Sequence, residues 1–360
     1  MTTAHQPVAY RFGGMADQIM LLPALARLQR SYGMSPLLIH RAGWSDELLA
    51  EQWGEVRILR PDRLPYWLNP SQQALVKELR EIGPAPAYLF GDAARLYPLL
   101  ELAGLQAGDI IDARHYPRGP REHQVAYQLR LASQCPPRWQ SAFCADAPLR
   151  ELPAPVLQVD DRQRRECLSW LTGRQWDDRP FILIQPGTHL TQEEEDASAR
   201  LNCRWPERHW AAVIDTLSVE AEGARFLLCG TPEDLPYHRR ILDLCRYRRV
   251  ASLAEGLTAS RLLPLLEYAH SMISVSAGPA HAAAAVNCPL VAIFGRTDPH
   301  RERPLARQAP VLIATPQGLD WIRWAPGEVE PELVVQAWRE LVRTHPWPAS
   351  HPRRRAPSRL

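Results

Sequence analysis

The sequence predicts an α/β protein built from two consecutive Rossmann-like domains. The chain has 360 residues, which is enough for two domains of ordinary size. Short apolar runs alternate with amphipathic stretches in both halves, as expected when helices connect parallel strands. A proline-rich segment over 135–160 is typical of a linker. We therefore expect an N-terminal domain over 1–158, a C-terminal domain over 159–344 and a flexible, proline- and arginine-rich tail over 345–360.

The N-terminal half predicts short strands separated by helices. Helices are expected over about 17–32, near 45–53 and over 121–134. The predicted strands are Val8–Phe12, Pro36–His40, Val56–Leu59, Tyr88–Phe90 and Asp109–Ile111.

The C-terminal half contains continuous apolar runs, which predict strands buried on both faces. These strands are Phe181–Ile184, Phe226–Cys229, Met272–Val275 and Leu290–Phe294. The helices that would cover them are expected over 207–222, 233–246, 259–269 and 279–287. Two domains of this kind predict a ligand-binding cleft at the carboxyl ends of two parallel sheets.

Composition and charge exclude several functional classes. A formal net charge of +2 gives no reason to expect a nucleic-acid partner. The seven cysteines are scattered without a C-x-x-C pair, which indicates reduced thiols rather than a disulfide framework or a zinc site. No signal peptide and no membrane-spanning apolar run is recognisable. We expect a cytoplasmic protein, with peripheral contact at the inner face of the inner membrane if its acceptor is lipid-linked.

The strongest local signal is the run from Ser276 to His281, directly after a predicted strand. Gly278 allows close backbone approach to a ligand, and Pro279 suits the first helical position. A helix start of this kind offers N–H groups to a diphosphate. An ordinary tight strand-to-helix turn explains the same residues equally well.

Residues 274–299 resemble the C-terminal signature of glycosyltransferase family 9, the ADP-heptose:lipopolysaccharide heptosyltransferases. Two further segments agree in order and spacing. Gly14-Met15-Ala16-Asp17 with Pro23-Ala24-Leu25 resembles the family's Gly-Asp-x5-Pro-Ala-Leu, and 184–187 with 204–207 resembles its Asn-Pro-Gly and Lys-Arg-Trp-Pro blocks. In the C-terminal signature the matching residues are Gly278, Pro279, His281, Phe294, Gly295, Thr297, Asp298 and Pro299.

The resemblance implies GT-B architecture, with two Rossmann-like domains facing across a cleft. It further implies an inverting, metal-independent glycosyltransferase. The donor would be a nucleotide-diphosphate sugar such as ADP-heptose, and the sugar would be a heptose or a relative. The acceptor would be a hydroxyl of a bacterial glycan, a lipid-linked glycan of the lipopolysaccharide type, or a protein.

Site roles follow from the same resemblance. Asp17 corresponds to the proposed catalytic base, although a helix cap is the commoner role for a lone aspartate at a helix start. Glu233 would contact the nucleoside, but a solvated helix start explains this residue equally well. Gly14, Arg121 and His123 are candidates on the acceptor side. The candidate donor-binding residues are Thr188, Arg204, Glu233, Ser276, Gly278, Pro279 and His281.

Some positions depart from the family pattern. Ser276 and Ala277 replace an aspartate and a hydroxyl residue, and Cys203 replaces a lysine. Ala16 replaces the glycine before the aspartate, and an acidic run covers 192–196. Loss of hydrogen-bonding groups can change discrimination strongly, so a different sugar donor is one expectation. Two alternatives stay open: a non-catalytic nucleotide-sugar-binding scaffold and a sugar-nucleotide epimerase.

Overall fold

The computed structural model describes residues 5–40, 52–53, 56–58, 66–145, 151–187, 205–295, 297–316 and 329–347. The chain divides into two compact units, Met1–Pro155 and Val156–Leu360. The division falls inside the proline-rich segment, close to the predicted boundary at 158. Each unit contains its own parallel sheet.

The sheet of the N-terminal unit has five parallel strands in the order β3-β2-β1-β4-β5. β1 is the central strand, with β2 on one side and β4 on the other. From β1 the chain continues to β2 on one side, and from β4 it continues to β5 on the other side. The position between β1 and β4 is therefore the switch point of the strand order. Open α/β sheets bind ligands in the crevice at such a point. The strands are β1 (Val8–Tyr10), β2 (Leu37–His40), β3 (Val56–Ile58), β4 (Ala87–Leu89) and β5 (Ile110–Asp112).

The helices of this unit cover both faces of its sheet. α1 and α4 pack against each other, while α2 and α3 pack side chains against β1, β2 and β4. Gly33 follows the last residue of α1 as its C-cap, and its φ of +73° is a left-handed conformation that glycine adopts without steric cost. The helices are α1 (Met15–Tyr32), α2 (Pro70–Ile82), α3 (Tyr97–Ala103) and α4 (Gln124–Ala132).

The sheet of the C-terminal unit has six parallel strands in the order β11-β10-β9-β6-β7-β8. The chain adds β7 and β8 on one side of β6 and the remaining strands on the other. The switch point of this sheet therefore lies between β6 and β9. The strands are β6 (Phe181–Gln185), β7 (Arg225–Leu228), β8 (Val250–Ser252), β9 (Ser271–Val275), β10 (Leu290–Ile293) and β11 (Val311–Ala314).

Two groups of helices pack around this second sheet. α6, α7 and α11 contribute to the main apolar core, in which Trp210 and Trp338 are fully buried. α5 contacts α8, and α8 contacts α9. The helices are α5 (Asp161–Thr172), α6 (Glu207–Glu220), α7 (Leu235–Leu244), α8 (Ala259–Tyr268), α9 (Gly278–Ala285), α10 (Pro299–Glu302) and α11 (Pro331–Thr344).

Two predicted boundaries differ from the structure. Trp139, in the predicted linker, is buried and donates its indole N–H to Asp109 at 3.0 Å, so this part of the linker belongs to the N-terminal unit. The flexible tail was predicted from 345, but the rings of His345 and Trp347 lie 4.9 and 4.6 Å from the ring of His270. Aromatic packing therefore attaches His345 and Trp347 to the C-terminal unit. The predicted helix near 45–53 falls almost wholly outside the described residues.

No helix within the described ranges has both the length and the apolar character needed to cross a lipid bilayer.

Candidate functional site

The loop after β1 places Asp17 at the carboxyl edge of the first sheet. Asp17 lies in the first turn of α1, where an acidic side chain also interacts favourably with the helix dipole. Its carboxylate accepts a hydrogen bond from the Gly14 N–H at 3.1 Å and forms an ion pair with Arg11. About a third of the side chain, 33%, remains exposed. The predicted base is therefore held in one orientation at a helix start and can still be reached from solvent, while it also fills the alternative capping role.

The loop before α4 leaves the same edge of this sheet. Arg121 is exposed, as expected for a residue that meets an acceptor. His123 is buried, and its Nδ1 accepts the Val125 N–H at 3.2 Å, so this histidine caps α4. Glu122 binds Arg130 through two hydrogen bonds of 2.8 and 2.9 Å. Of the two predicted acceptor side chains, Arg121 alone faces solvent.

A buried carboxylate that the sequence analysis did not identify lies at the end of β5. Asp112 is 1% exposed and accepts hydrogen bonds from the Tyr97 hydroxyl and from the Arg114 guanidinium, the latter at 2.9 Å. Burial alone would raise the pKa of Asp112, but these hydrogen bonds outweigh burial and hold the pKa below its usual value. The Arg114 guanidinium in turn lies 4.8 Å from the centre of the Tyr97 ring. This cluster fixes the loop that leads toward Arg121.

In the C-terminal unit, the end of β9 leads directly into α9 at the switch point. Gln185 at the end of β6 pairs in register with Ser274 of β9, so the two strand ends lie side by side. α9 begins at Gly278, and its N-cap residue, Ala277, contributes no side-chain hydrogen bond. The N-cap side chain therefore does not cap this helix start, and the N–H groups of a helix start are the groups that an anion would bind.

The predicted donor residues around this helix start differ in exposure. Ser276, Gly278 and Pro279 are partly exposed and lie at the carboxyl edge of the sheet. His281 is 5% exposed and lies one turn into the helix. The first three residues can meet a ligand directly, whereas His281 lies beneath them.

The loop after β7 separates two neighbouring carboxylates. Glu233 is exposed on the surface. Asp234 is buried and accepts hydrogen bonds from the Thr231 N–H at 2.7 Å and the Thr231 hydroxyl at 3.2 Å. Asp234 therefore fixes the loop, and Glu233 is the carboxylate that it presents to solvent.

A buried histidine supports this loop from below. The Nδ1 atom of His238 lies 2.7 Å from the Ser252 hydroxyl, and burial lowers the pKa of His238 to about 4. A Cβ at Gly230 would lie 2.7 Å from the His238 ring, so this position has room only for glycine. The remaining predicted donor residues, Thr188 and Arg204, lie outside the described residues, as do Cys203 and the acidic run.

The curated proteins to which this chain is similar are lipopolysaccharide and lipooligosaccharide heptosyltransferases. Lipopolysaccharide heptosyltransferase 3 of Escherichia coli is 38% identical over 120 residues, which are 33% of this chain and 32% of that protein. The chain spans about a third to about half of the length of the curated relatives it matches.

Solved structures show the same fold over nearly the whole chain. A glycosyltransferase of family 9 from Veillonella parvula superimposes with a TM-score of 0.73 at 13% identity, covering 96% of this chain and 99% of that one. The ADP-heptose lipopolysaccharide heptosyltransferase II of E. coli gives a TM-score of 0.67 at 21% identity, covering 94% and 99%. The GT-B fold class predicted from the sequence is thereby confirmed.

The model of one protein family matches residues 106–319, which is more than half of the chain. The match includes β6 to β11 and the α9 helix start. It also includes the loop that carries Arg121. The chain therefore belongs to glycosyltransferase family 9, the heptosyltransferases.

Proposed function

We propose that the chain is an inverting, metal-independent glycosyltransferase that transfers a heptose or a related sugar from a nucleotide-diphosphate donor. The curated relatives are lipopolysaccharide heptosyltransferases, which makes ADP-heptose the first donor to test and a lipopolysaccharide-type glycan the first acceptor. The observation that carries the proposal is the Asp17 carboxylate, held at the carboxyl edge of the first sheet and open to solvent.

The reaction would be a single displacement at the anomeric carbon. The acceptor hydroxyl oxygen forms a new bond to the anomeric carbon while the bond between this carbon and the diphosphate oxygen breaks. Asp17 accepts the hydroxyl proton as general base, which is worth about 10²–10⁴-fold in rate. The diphosphate leaves with the electron pair of the broken bond, and attack from the opposite side inverts the configuration.

The leaving diphosphate would bind at the start of α9. Ser276, Gly278 and Pro279 lie where the positive end of the helix dipole meets solvent. His281 would support this turn from beneath, and Glu233 would contact the nucleoside. Thr188 and Arg204 are proposed as further phosphate ligands by resemblance to the family.

On the acceptor side, Gly14 and Arg121 are the proposed contacts. Gly14 lies beside the base, and its N–H already holds the Asp17 carboxylate. Arg121 is an exposed cation suited to a phosphorylated or acidic glycan. A lipid-linked acceptor would bring the protein to the inner face of the inner membrane, and a protein acceptor would need the same hydroxyl chemistry.

The substitution Asp17→Asn tests the proposed base. Asparagine keeps the oxygen that accepts the Gly14 N–H but does not accept the acceptor proton. We expect kcat for transfer from ADP-heptose to fall by about 10²–10⁴-fold with donor KM nearly unchanged. The matched control is Asp160→Asn, since Asp160 also accepts a backbone N–H at a helix start, at 2.7 Å from Gln163, but caps α5. Full activity in Asp17→Asn would remove the proposed base.

Ligand binding, measured together with sugar transfer, separates an enzyme from a non-catalytic scaffold. A nucleoside diphosphate present at about 100 times its Kd should stabilise the protein by about 2.7 kcal/mol. We expect ADP to raise the melting temperature more than UDP or GDP. The family departures at Ser276 and Ala277 favour the scaffold alternative, which predicts the ADP shift without transfer. An epimerase would instead alter the nucleotide sugar without any acceptor. No shift with any diphosphate would contradict all three.

Metal independence is tested with the same assay. If the start of α9 and the Arg204 guanidinium stabilise the leaving diphosphate, excess EDTA should leave kcat unchanged. A loss of activity that Mg²⁺ or Mn²⁺ restores would contradict this part of the proposal.

A further inference from the structure

Arg11 spans the switch point of the N-terminal sheet. It follows β1 directly, and its backbone N–H donates to the Ile39 carbonyl of β2 at 3.1 Å. Its side chain runs to the other side of β1, where Nη1 donates to the Phe90 carbonyl after β4 at 2.5 Å. The side chain is only 15% exposed. Arg11 therefore connects the ends of three neighbouring strands at the crevice where such sheets bind ligands.

The same guanidinium holds the proposed base. Nη2 of Arg11 forms the ion pair with Oδ1 of Asp17, while Oδ2 accepts the Gly14 N–H at 3.1 Å. Both carboxylate oxygens are thus held from the protein side. An ionised carboxylate offers about four acceptor positions, so positions remain for an acceptor hydroxyl on the exposed side.

The surroundings of Arg11 hold its side chain in place. A Cβ at Gly91 would lie 3.1 Å from Nη1, and the buried Gln18 amide donates to the Arg11 carbonyl at 2.9 Å. Within the described part of the chain, the buried Nε atom has no hydrogen-bond partner. Nη1 and Nη2 therefore donate to Phe90 and Asp17 respectively, and the planar guanidinium allows both contacts at the same time.

We propose that Arg11 is a positioning residue that acts through Asp17, a role that rests on the proposed function. Its fork ties the carboxylate to the end of β4 and so aims the remaining lone pairs at the acceptor hydroxyl. The competing role is that of a cation that binds an acidic acceptor directly. The two roles differ in whether the effect of Arg11 depends on Asp17 being present.

A double-mutant cycle on the full chain decides between them. We expect Arg11→Ala to lower kcat by about 10²-fold, because a misplaced reacting group costs this much, with both KM values within about threefold of wild type. Because Arg11 acts through the carboxylate, the double variant Arg11→Ala/Asp17→Asn should be no slower than Asp17→Asn alone. The kcat of Arg11→Lys should lie between those of wild type and Arg11→Ala, about tenfold below wild type, because an ammonium group lacks the planar fork of the guanidinium.

The matched control is Arg80→Ala, which should keep wild-type kcat. The Arg80 guanidinium also binds a backbone carbonyl, that of Leu102, at 2.8 and 3.0 Å, but at the end of α2. Circular dichroism and thermal melts establish that each variant is folded. If Arg11→Ala does not fold, the same cycle with Arg11→Lys replaces it.

Several results would overturn the proposal. A double variant slower by the product of the two single effects would show that Arg11 acts independently, as would a raised acceptor KM with unchanged kcat. Wild-type kcat in Arg11→Ala or Arg11→Lys, with Asp17→Asn impaired, would remove the positioning role and leave the proposed function intact. Wild-type kcat in Asp17→Asn would remove both.

Discussion

The orientation of Asp17 depends on a missing side chain at Gly13. A Cβ at Gly13 would lie 2.6 Å from the Cβ of Asp17, a distance that real Cβ atoms do not reach. A Cβ at the neighbouring Gly14 would meet no heavy atom within 4 Å. The loop therefore requires glycine at 13 for space, whereas at 14 it uses only the backbone N–H that donates to the Asp17 carboxylate.

This difference predicts unequal effects of two adjacent substitutions. Gly13→Ala should lower the free energy of unfolding by about 1–3 kcal/mol, because the added methyl group must displace Asp17 and the start of α1. Gly14→Ala should change it by about 0.5 kcal/mol or less. Urea denaturation of the two variants and wild type provides the measurement. Equal stability of the two variants would contradict this account of the loop.

Single residues also show what the sequence could and could not predict. Asp17, Gly278 and Pro279 stand in motifs whose local spacing places them at helix starts. Arg11 carries no such signal, because its partner Phe90 lies 79 positions away and only the sheet order brings them together. Glu233 and Asp234 are adjacent carboxylates, and the hydrogen bonds from Thr231 determine which one is buried.

At the scale of elements, the alanine-rich helix α9 is buried against its neighbours along most of its length. Ala280 and the run Ala282–Ala285 are each between 0 and 2% exposed. The helix contacts β9, β10 and α8. The alanine run therefore packs closely on the sheet and holds the helix start at the switch point.

This packing predicts a low tolerance for larger side chains in α9. Ala283→Leu adds three carbon atoms at a fully buried position and should destabilise the protein by about 1–3 kcal/mol or more. Ala212→Leu is the matched control, because Ala212 lies on the exposed face of α6 and leucine is also a good helix former. Thermal melts with and without ADP compare the two. A destabilised Ala212→Leu with an unaffected Ala283→Leu would refute the assignment of the buried face.

The two strands that the sequence analysis did not predict, β8 and β11, both lie at an edge of the C-terminal sheet. β8 is an edge strand of three residues, Val250–Ser252, all of them only partly buried. β11 lies at the opposite edge and is buried only at Ala314. β8 is too short to show a continuous apolar run, whereas β11 has one, Val-Leu-Ile-Ala, that the sequence analysis did not assign to a strand. The central strands β6 and β10 are marked by such runs. The central strands were therefore predicted within one or two residues.

At the scale of the whole molecule, His238 and His270 are buried histidines of the C-terminal unit that stay neutral when folded. His238 is 0% and His270 is 8% exposed. Burial lowers the pKa of each to about 4; for His270 the neighbouring His345 adds to the effect. An unfolded chain would protonate both near pH 6.5. The unfolded state therefore binds more protons than the folded state between these values.

Stability should consequently fall as the pH is lowered from about 6.5 toward 4. A histidine with a depressed pKa contributes stability that is present above its unfolded pKa and is lost as the pH approaches the folded value. From pH 7 to 5 the loss should be about 2 kcal/mol for each histidine. His238→Gln should remove about 2 kcal/mol of this loss in denaturation curves, whereas His300→Gln, at an exposed position of α10, should leave it unchanged. Equal pH dependence in wild type and His238→Gln would show that His238 is not held neutral in the folded protein.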